Sequence, residues 1–366
     1  AIAIGSELQL TPVTSQRDDL AVLQYTGGTT GLSKGAMLSH RNVLTNSLQT
    51  RVRMNSVLAG EDEILVSPLP LYHIYAFNLT LLLYPSIGAH SILIPNPRDL
   101  ESFIGAIKDY QFTSFSGLNT LFVGLCANPA FRELDFSKLH FTFSGGTALT
   151  HSAAENWKAI TGCKICEGYG LSETAPVVTF THPSETVLGS IGFALPATEV
   201  KILDAEGNEV ADGESGELAA QGPQVMQGYW RNEAATAEVM TADNFFKTGD
   251  IAVKMECGRY KIVDRKKDMI IVSGFNVYPN EIEDVLSGHS DILEAAVIGV
   301  PEETTGETVR AFIVTTPDGK GLTREAVIAH CKTQLTGYKV PKDVQFIDEL
   351  PKSAVGKILR RELRVN

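Results

Sequence analysis

The stretch FTFSGGTALTHSAAENWKAITGCKICEGYG, Phe141 to Gly170, decides the fold. It opens on a short apolar run closed by Gly145 and Gly146, and SAAENWKAITG then follows a helical pattern. A second short run, KICEGYG, carries Gly168 and Gly170 at its end. Strand, helix and strand in that order form the crossover unit of a parallel sheet. The alternation continues upstream. AVLQYT, EILVSPLP, SILIP and TSFSG read as strands, and RNVLTNSLQTRV and LESFIGAIKDY as helices. In such sheets ligands collect at the carboxyl ends of strands, where the glycine turns at Gly27–Gly28, Gly145–Gly146 and Gly168–Gly170 are expected.

From about Thr186 the texture becomes β-rich, with EVKILDAEGNEVADGESGELAAQG reading as strand, turn and strand. A second change comes near Asp264. RKKDMIIVSG reads as a charged joint followed by a strand, and PNEIEDVLSGH as a helix with Pro at its start and acids in its first turn. AAVIGV, RAFIVTT and REAVIAHCKTQL continue as strand, strand and helix. The expectation is an α/β large domain over residues 1–264, β-rich from 186, and a small C-terminal α+β domain over 265–366.

Composition narrows the function. Across 366 residues, 43% hydrophobic and 20% charged content fit a globular protein. A net charge of −12 argues against nucleic acid as the main partner, because a polyanion is repelled. Cys163 and Cys166 have CxxC spacing, but no second pair or His pair follows, so they read as plain thiols. Residues 64–97 lack Asp, Glu, Lys and Arg, yet Pro68, Pro70, Pro85, Gly88 and Pro95 cut them into pieces too short for a membrane span. A buried helix from Tyr72 to Tyr84 and a buried strand from His90 to Ile94 are expected instead.

The stretch YTGGTTGLSKG, from Tyr25, departs from the usual nucleotide-hydrolase loop, since Gly31 to Lys34 is too short and Gly35 follows Lys34. Its chemistry still suits phosphate: glycines let backbone N–H groups approach an anion, threonines add donors and Lys34 adds charge. A flexible Ser/Thr/Gly linker is the alternative. Glu173 in GYGLSET could be a surface acid, Asp250 in KTGD a turn cap, and Tyr169 an ordinary half-buried tyrosine. His73 fits a satisfied core histidine, and Lys266, Lys267 and Lys357 fit solvated charges.

Taken together, these segments resemble the acyl-adenylate-forming superfamily, which includes acyl-CoA synthetases, luciferases and peptide-synthetase adenylation domains. YTGGTTGLSKG resembles its phosphate loop. PLYHIYAFN, SGGTAL, EGYGLSET, GELAAQGPQVMQGYW, KTGD, VDRKKDMIIVSGFNVYPNEIE and LPKSAVGKILRREL follow in the family's order. The similarity runs closest to bacterial long-chain fatty acid–CoA ligases, through LQYTGGTTG, VDRKKDMIIVSGFNVYPNEIEDV and LTGYKVPK.

The resemblance implies the adenylate-forming fold and a two-step reaction. ATP, Mg²⁺ and a medium- or long-chain fatty acid give acyl-AMP and pyrophosphate, and CoA then displaces AMP. It implies that Tyr25, Thr26, Gly27, Gly28, Thr29, Thr30, Gly31 and Lys34 hold phosphate, and that Gly145, Gly146, Thr147, Gly168, Tyr169, Gly170 and Ser172 surround the adenine side. Ser172 stands where many members have Thr. Glu173, assisted by Thr26, takes the Mg²⁺; Asp250 and Arg265 take the ribose or α-phosphate; His73 guards the carboxylate. Lys357 bridges the carboxylate and the α-phosphate. Lys267 is the hinge about which the small domain rotates, withdrawing Lys357 and bringing in Ser273 and Gly274 for the pantetheine arm of CoA. Other readings are a different carboxylic acid–CoA ligase, an acyl-AMP ligase, and a non-catalytic fragment that binds nucleotide or acyl group. Family members carry more large domain ahead of the phosphate loop, so an N-terminally truncated form is expected, lacking part of the acyl tunnel. The expected location is cytoplasmic; peripheral contact with the inner membrane and a homodimer stay open.

Overall fold

The computed structural model describes residues 5, 8–9, 12–26, 33–58 and 60–364. Its first element, β1 (Leu20–Thr26), pairs antiparallel with β2 (Lys34–Ser39), Thr26 opposite Lys34 and Tyr25 opposite Gly35. This corrects the expected placement of AVLQYT in the parallel sheet. The link from residue 27 to 33 is far shorter than the roughly dozen residues a parallel crossover needs. KGAMLS is the returning strand, and its Ala36 and Leu38 bury against Ile74, Tyr229 and Phe246.

Helix α1 (His40–Met54) follows, its start fixed by Ser39, whose hydroxyl caps Asn42 N–H while Asn42 answers on the Ser39 backbone. Its buried face is mainly polar, with Asn42, Asn46, Ser47, Gln49 and Thr50 beside Val43 and Met54. Asn42 Nδ2 donates to the Pro223 and Val225 carbonyls, each at 2.8 Å, and Asn46 Nδ2 to the Val177 carbonyl at 2.7 Å. Gln49 Nε2 reaches the Pro196 carbonyl at 2.6 Å. The helix therefore joins three chain segments by hydrogen bonds, which buried amides demand.

The main sheet contains β3 (Ile64–Ser67), β4 (His90–Leu93), β5 (Ser114–Gly117), β6 (Phe141–Ser144), β7 (Ile165–Gly170), β8 (Val177–Phe180) and β9 (Phe193–Ala194). Their order is β4-β3-β5-β6-β7-β8-β9, parallel as far as β7 and antiparallel beyond. Helices α2 (Leu100–Ile107), α3 (Asn119–Ala127) and α4 (His151–Thr161) accompany it. β5 and β6 are buried throughout, as a central parallel strand must be. Trp157 of α4 packs on Phe115, Phe122 and Phe131, and its indole N–H donates to Thr142 Oγ1 at 3.1 Å. The buried strand expected from His90 to Ile94 is instead the sheet edge, with His90 and Leu93 exposed. The segment before it is helical from Ile74, through a π-helical stretch over Phe77–Leu83, to Ser86, while Tyr72 stays exposed outside it.

Next come β10 (Glu199–Leu203), β11 (Ser215–Gln221), β12 (Phe246–Lys254) and β13 (Tyr260–Arg265), an antiparallel sheet in sequence order. The last sheet holds β14 (Ile270–Val272), β15 (Phe275–Val277), β16 (Ile292–Glu302), β17 (Gly306–Thr315) and β18 (Asp343–Phe346). With α5 (Pro279–Ser287) and α6 (Arg324–Lys332) it encloses its own core, including Val277, Ile282, Leu286, Val297 and Ile313. Helix α7 (Arg360–Leu363) packs against β16 at the end of this unit. Arg360 ties α7 to the joint: its guanidinium meets Glu283 at 2.7 Å, Asp268 at 3.5 Å and Asp264 at 3.7 Å. Among the described residues, no helix is long and apolar enough to cross a membrane.

Candidate active site

A cleft of about 2040 Å³ opens between the large unit and the small one. Tyr25, Thr26, Lys34, His73, Gly145, Gly146, Thr147, Gly168, Tyr169, Gly170, Ser172, Glu173, Asp250, Arg265, Lys267 and Lys357 all line it. Gly27, Gly28, Thr29, Thr30 and Gly31 lie outside the described residues. Among the described candidates, Gly274 and its neighbour Ser273 are the exceptions. Gly274 sits in the β14–β15 turn at φ +84°, and neither residue lines the cleft in this orientation.

Topology explains the convergence. Strand β6 ends at Ser144 and delivers Gly145, Gly146 and Thr147 to the cleft, and β7 delivers Gly168, Tyr169 and Gly170 beside them. A Cβ at Gly170 would collide with the Pro176 carbonyl oxygen, so the chain passes there only without a side chain. Strands β12 and β13 place Asp250 directly opposite Arg265, with Nε and Oδ1 3.8 Å apart. Tyr169 then donates its hydroxyl to Asp250 Oδ2 at 2.6 Å, linking the main sheet to the antiparallel one.

Lys357 reaches in from the small unit. A Cβ on Gly146 would stand 3.4 Å from Lys357 Cε and 3.5 Å from Nζ, so the ammonium rests on the bare backbone of that turn. Burial, reinforced by the nearby Arg265 guanidinium and opposed by Asp250, pulls its pKa down to about 8. Asp250 moves the other way, its carboxyl raised by burial despite Arg265 and Tyr169. Across the cleft, His73 caps the helix that begins at Ile74, Nδ1 accepting from Tyr75 N–H at 3.4 Å. Burial first and Lys357 second lower the imidazole to about 4, so it is neutral at physiological pH.

Glu173 is buried, and Tyr229 donates to its Oε1 at 2.8 Å. Burial raises its pKa, with Tyr229 and Lys34 acting against the rise. The Lys34 ammonium stands 5.0 Å over the Tyr229 ring. Thr26 Oγ1, 3.4 Å from the Lys34 carbonyl, lies at the same end of the cleft. One buried carboxylate with an adjacent hydroxyl suits Mg²⁺, which keeps several waters and takes only one or two carboxylates from protein. Among the described residues no cluster of three or more His, Cys, Asp or Glu could hold a metal, so any ion here depends on ligand oxygens as well.

Two residues of the site escaped sequence reasoning. Tyr229 belongs to QGYW, but nothing in its spacing connects it with Glu173. Tyr75, whose hydroxyl is buried without a partner, packs where a Cβ at Gly145 would stand 3.5 Å from its ring. Only the fold brings either one to the cleft. Cys163 and Cys166 are buried free thiols, raised by burial.

The family model for AMP-binding enzymes matches residues 3–230, and that for the AMP-binding enzyme C-terminal domain matches 281–357. A long-chain-fatty-acid–CoA ligase from Salmonella typhimurium is 50% identical over 365 residues, covering 100% of this chain and 64% of that protein. The chain thus spans less than two thirds of the length of that relative. The crystal structure of ATP-bound MatB from Rhodopseudomonas palustris matches with a TM-score of 0.87 at 32% identity, over 98% of this chain and 70% of that one. Apo MatB from the same organism matches at 0.73 and 33% identity, with the same coverage. A family model matched over more than half of the chain, two units meeting at one cleft, and glycine turns at strand ends agree: the chain belongs to the AMP-binding enzyme family.

Proposed function

We propose that this chain carries the acid-activating site of a fatty acid–CoA ligase, with medium- or long-chain fatty acid, ATP and CoA as substrates. The observation that carries the reading is Lys357, delivered by the small unit onto the Gly146 turn within the cleft that holds Asp250, Arg265 and His73.

Each residue then has a task. The loop from Tyr25 to Lys34 takes the phosphates, with Gly27, Gly28, Thr29, Thr30 and Gly31 supplying backbone and hydroxyl donors and Lys34 a charge. Asp250, an acceptor-only carboxylate, receives the ribose hydroxyls beside Arg265. Tyr169, Gly145, Gly146, Thr147, Gly168, Gly170 and Ser172 bound the adenine. A carboxylate oxygen of the fatty acid attacks the α-phosphorus; a new P–O bond forms and the bond to pyrophosphate breaks. Lys357, a compact cation with three donors, stabilises the charge that builds on phosphorus and aligns the carboxylate. His73 is uncharged there, so it shapes the carboxylate's path without capturing it as an ion pair. Mg²⁺, held by Glu173 and Thr26, would neutralise phosphate charge.

In the second step the CoA sulfur attacks the acyl carbonyl and AMP leaves. Residues 265–366 form the mobile domain in this reading, turning near Lys267 so that Lys357 withdraws and Gly274 enters. Two observations support a moving part: Gly274 stands outside the cleft while Lys357 stands inside it, and the chain matches ATP-bound MatB better than apo MatB. Domain rotation about a few joint residues is a known way to swap catalytic groups.

The test separates the half-reactions in the complete protein. Lys357→Ala should lower pyrophosphate release from ATP and fatty acid by about 10²-fold or more. Thioester formation from supplied acyl-AMP and CoA should stay within a few-fold of the parent. Equal loss of both would refute the two-state role of Lys357.

A further inference from the structure

We propose that Asp284 is a positioning residue that docks the small unit with Lys357 inside the cleft, by gripping the first turn of α4 at His151. The proposal rests on the two-step reading above and adds a residue that decides how the enzyme divides itself between the two orientations.

The contact is two-pronged. Asp284 Oδ1 accepts the backbone N–H of His151 at 2.8 Å, and Oδ2 lies 2.6 Å from His151 Nδ1. His151 is the first residue of α4, whose opening N–H groups have no partner within the helix. Thr150 caps one of them, at Ala153, and the carboxylate from the other unit takes another. A carboxylate is the right group for that place, since the helix dipole favours negative charge at its N-terminus. One turn along α5, Ser287 accepts a hydrogen bond from Ser152 Oγ at 3.1 Å. Asp284 and Ser287, three residues apart, therefore share the docked face of α5.

Two further contacts grip the lysine segment itself. Arg98 Nη2 donates to the Ser353 carbonyl at 2.9 Å, and Thr120 Oγ1 to the Gly356 carbonyl at 3.1 Å. Those bonds end on backbone and survive side-chain substitution in the small unit. Asp284 differs, because its grip lies wholly in one side chain. Its carboxylate is partly exposed, so its contribution is modest, which suits a contact that must break in every turnover. Docking also brings Asp284 close enough to the half-buried Glu167 to oppose its ionisation, so the acid stands at the cleft wall and not on remote surface.

The experiment uses proximity as well as activity. In the complete protein carrying Cys257→Ser to remove the exposed thiol, Ser152→Cys and Ser287→Cys place two thiols where the hydroxyls now touch. Disulfide formation under mild oxidation then reports docking. Asp284→Ala should slow it several-fold and Asp284→Asn should fall between, since the amide oxygen still accepts from His151 N–H. Without the added cysteines, Asp284→Ala should raise the KM for ATP in pyrophosphate release and leave thioester formation from supplied acyl-AMP unchanged or faster. An unchanged disulfide rate, or both half-reactions falling together, would overturn the proposal. Should the parent activate no carboxylate at all, the two-step reading fails, and the disulfide rate still decides the docking claim.

Discussion

Lys357 shows how a single side chain acquires its chemistry from where it rests. Free in water a lysine titrates near 10.5; on the Gly146 turn, beside Arg265, this one titrates at about 8. The sign follows directly. Burial disfavours the cation, so the charged form prevails below about 8 and is lost as pH rises through that value. If the cation drives adenylation, kcat/KM for pyrophosphate release should fall above about pH 8 with a slope of one proton, because kcat/KM reports groups of the free enzyme. A limb that appears only near 10.5 would contradict the assigned environment. His73, already lowered to about 4, should add no acidic limb between pH 5 and 7. The sequence disclosed the candidates because GYGLSET, KTGD and PKSAVGK are distinctive. It could not disclose that Tyr169 donates to Asp250, or that Tyr229 donates to Glu173, because the partners of each pair lie more than fifty residues apart in the chain.

The elements were legible wherever a period of two or 3.6 met a glycine or a capping residue. α4 begins at a Thr150 cap and stops at Gly162, which adopts the left-handed conformation at φ 74°. The parallel strands β5 and β6 read as short runs for the same local reasons. The β1–β2 hairpin was misread because strand pairing is non-local: the same run of residues can join a parallel sheet or return on itself. α1 is the sharper lesson. Three of its apolar residues, Leu44, Leu48 and Val52, are 53%, 59% and 64% exposed, while its amides are buried beside Val43 and Met54. A helix usually turns its apolar stripe inward; here buried carbonyls without partners recruit Asn42, Asn46 and Gln49 instead. Replacing Leu44, Leu48 and Val52 with serine should change the unfolding free energy of this chain by less than about 0.5 kcal/mol per site. It should also reduce self-association, read by light scattering, because three exposed apolar side chains in a row form a sticky patch. A loss of several kcal/mol would mean that the stripe packs against something.

At the scale of the molecule, the cleft is walled by both units: the ends of β6 and β7 and the middle of β12 on one side, and the Lys357 segment on the other. Ligand that binds the folded cleft raises stability by mass action, by about 2.7 kcal/mol at a hundredfold excess over Kd. ATP with Mg²⁺ should therefore raise the melting temperature, and Asp250→Ala should remove most of that rise. An undiminished shift in the variant would move the nucleotide away from the β12–β13 pair. By itself the sequence determined the α/β alternation, the β-rich passage and the change of texture near Asp264, because spacing, capping and glycine placement are local properties; the candidates for the site came from the resemblance of its motifs to a family. Tertiary structure alone decided the hairpin, the inverted face of α1, the exposed edge at β4, the grip of Asp284 on His151, and which of Lys357 and Gly274 faces inward. Those outcomes depend on segments far apart in the chain competing for the same partners, and no local pattern records who wins.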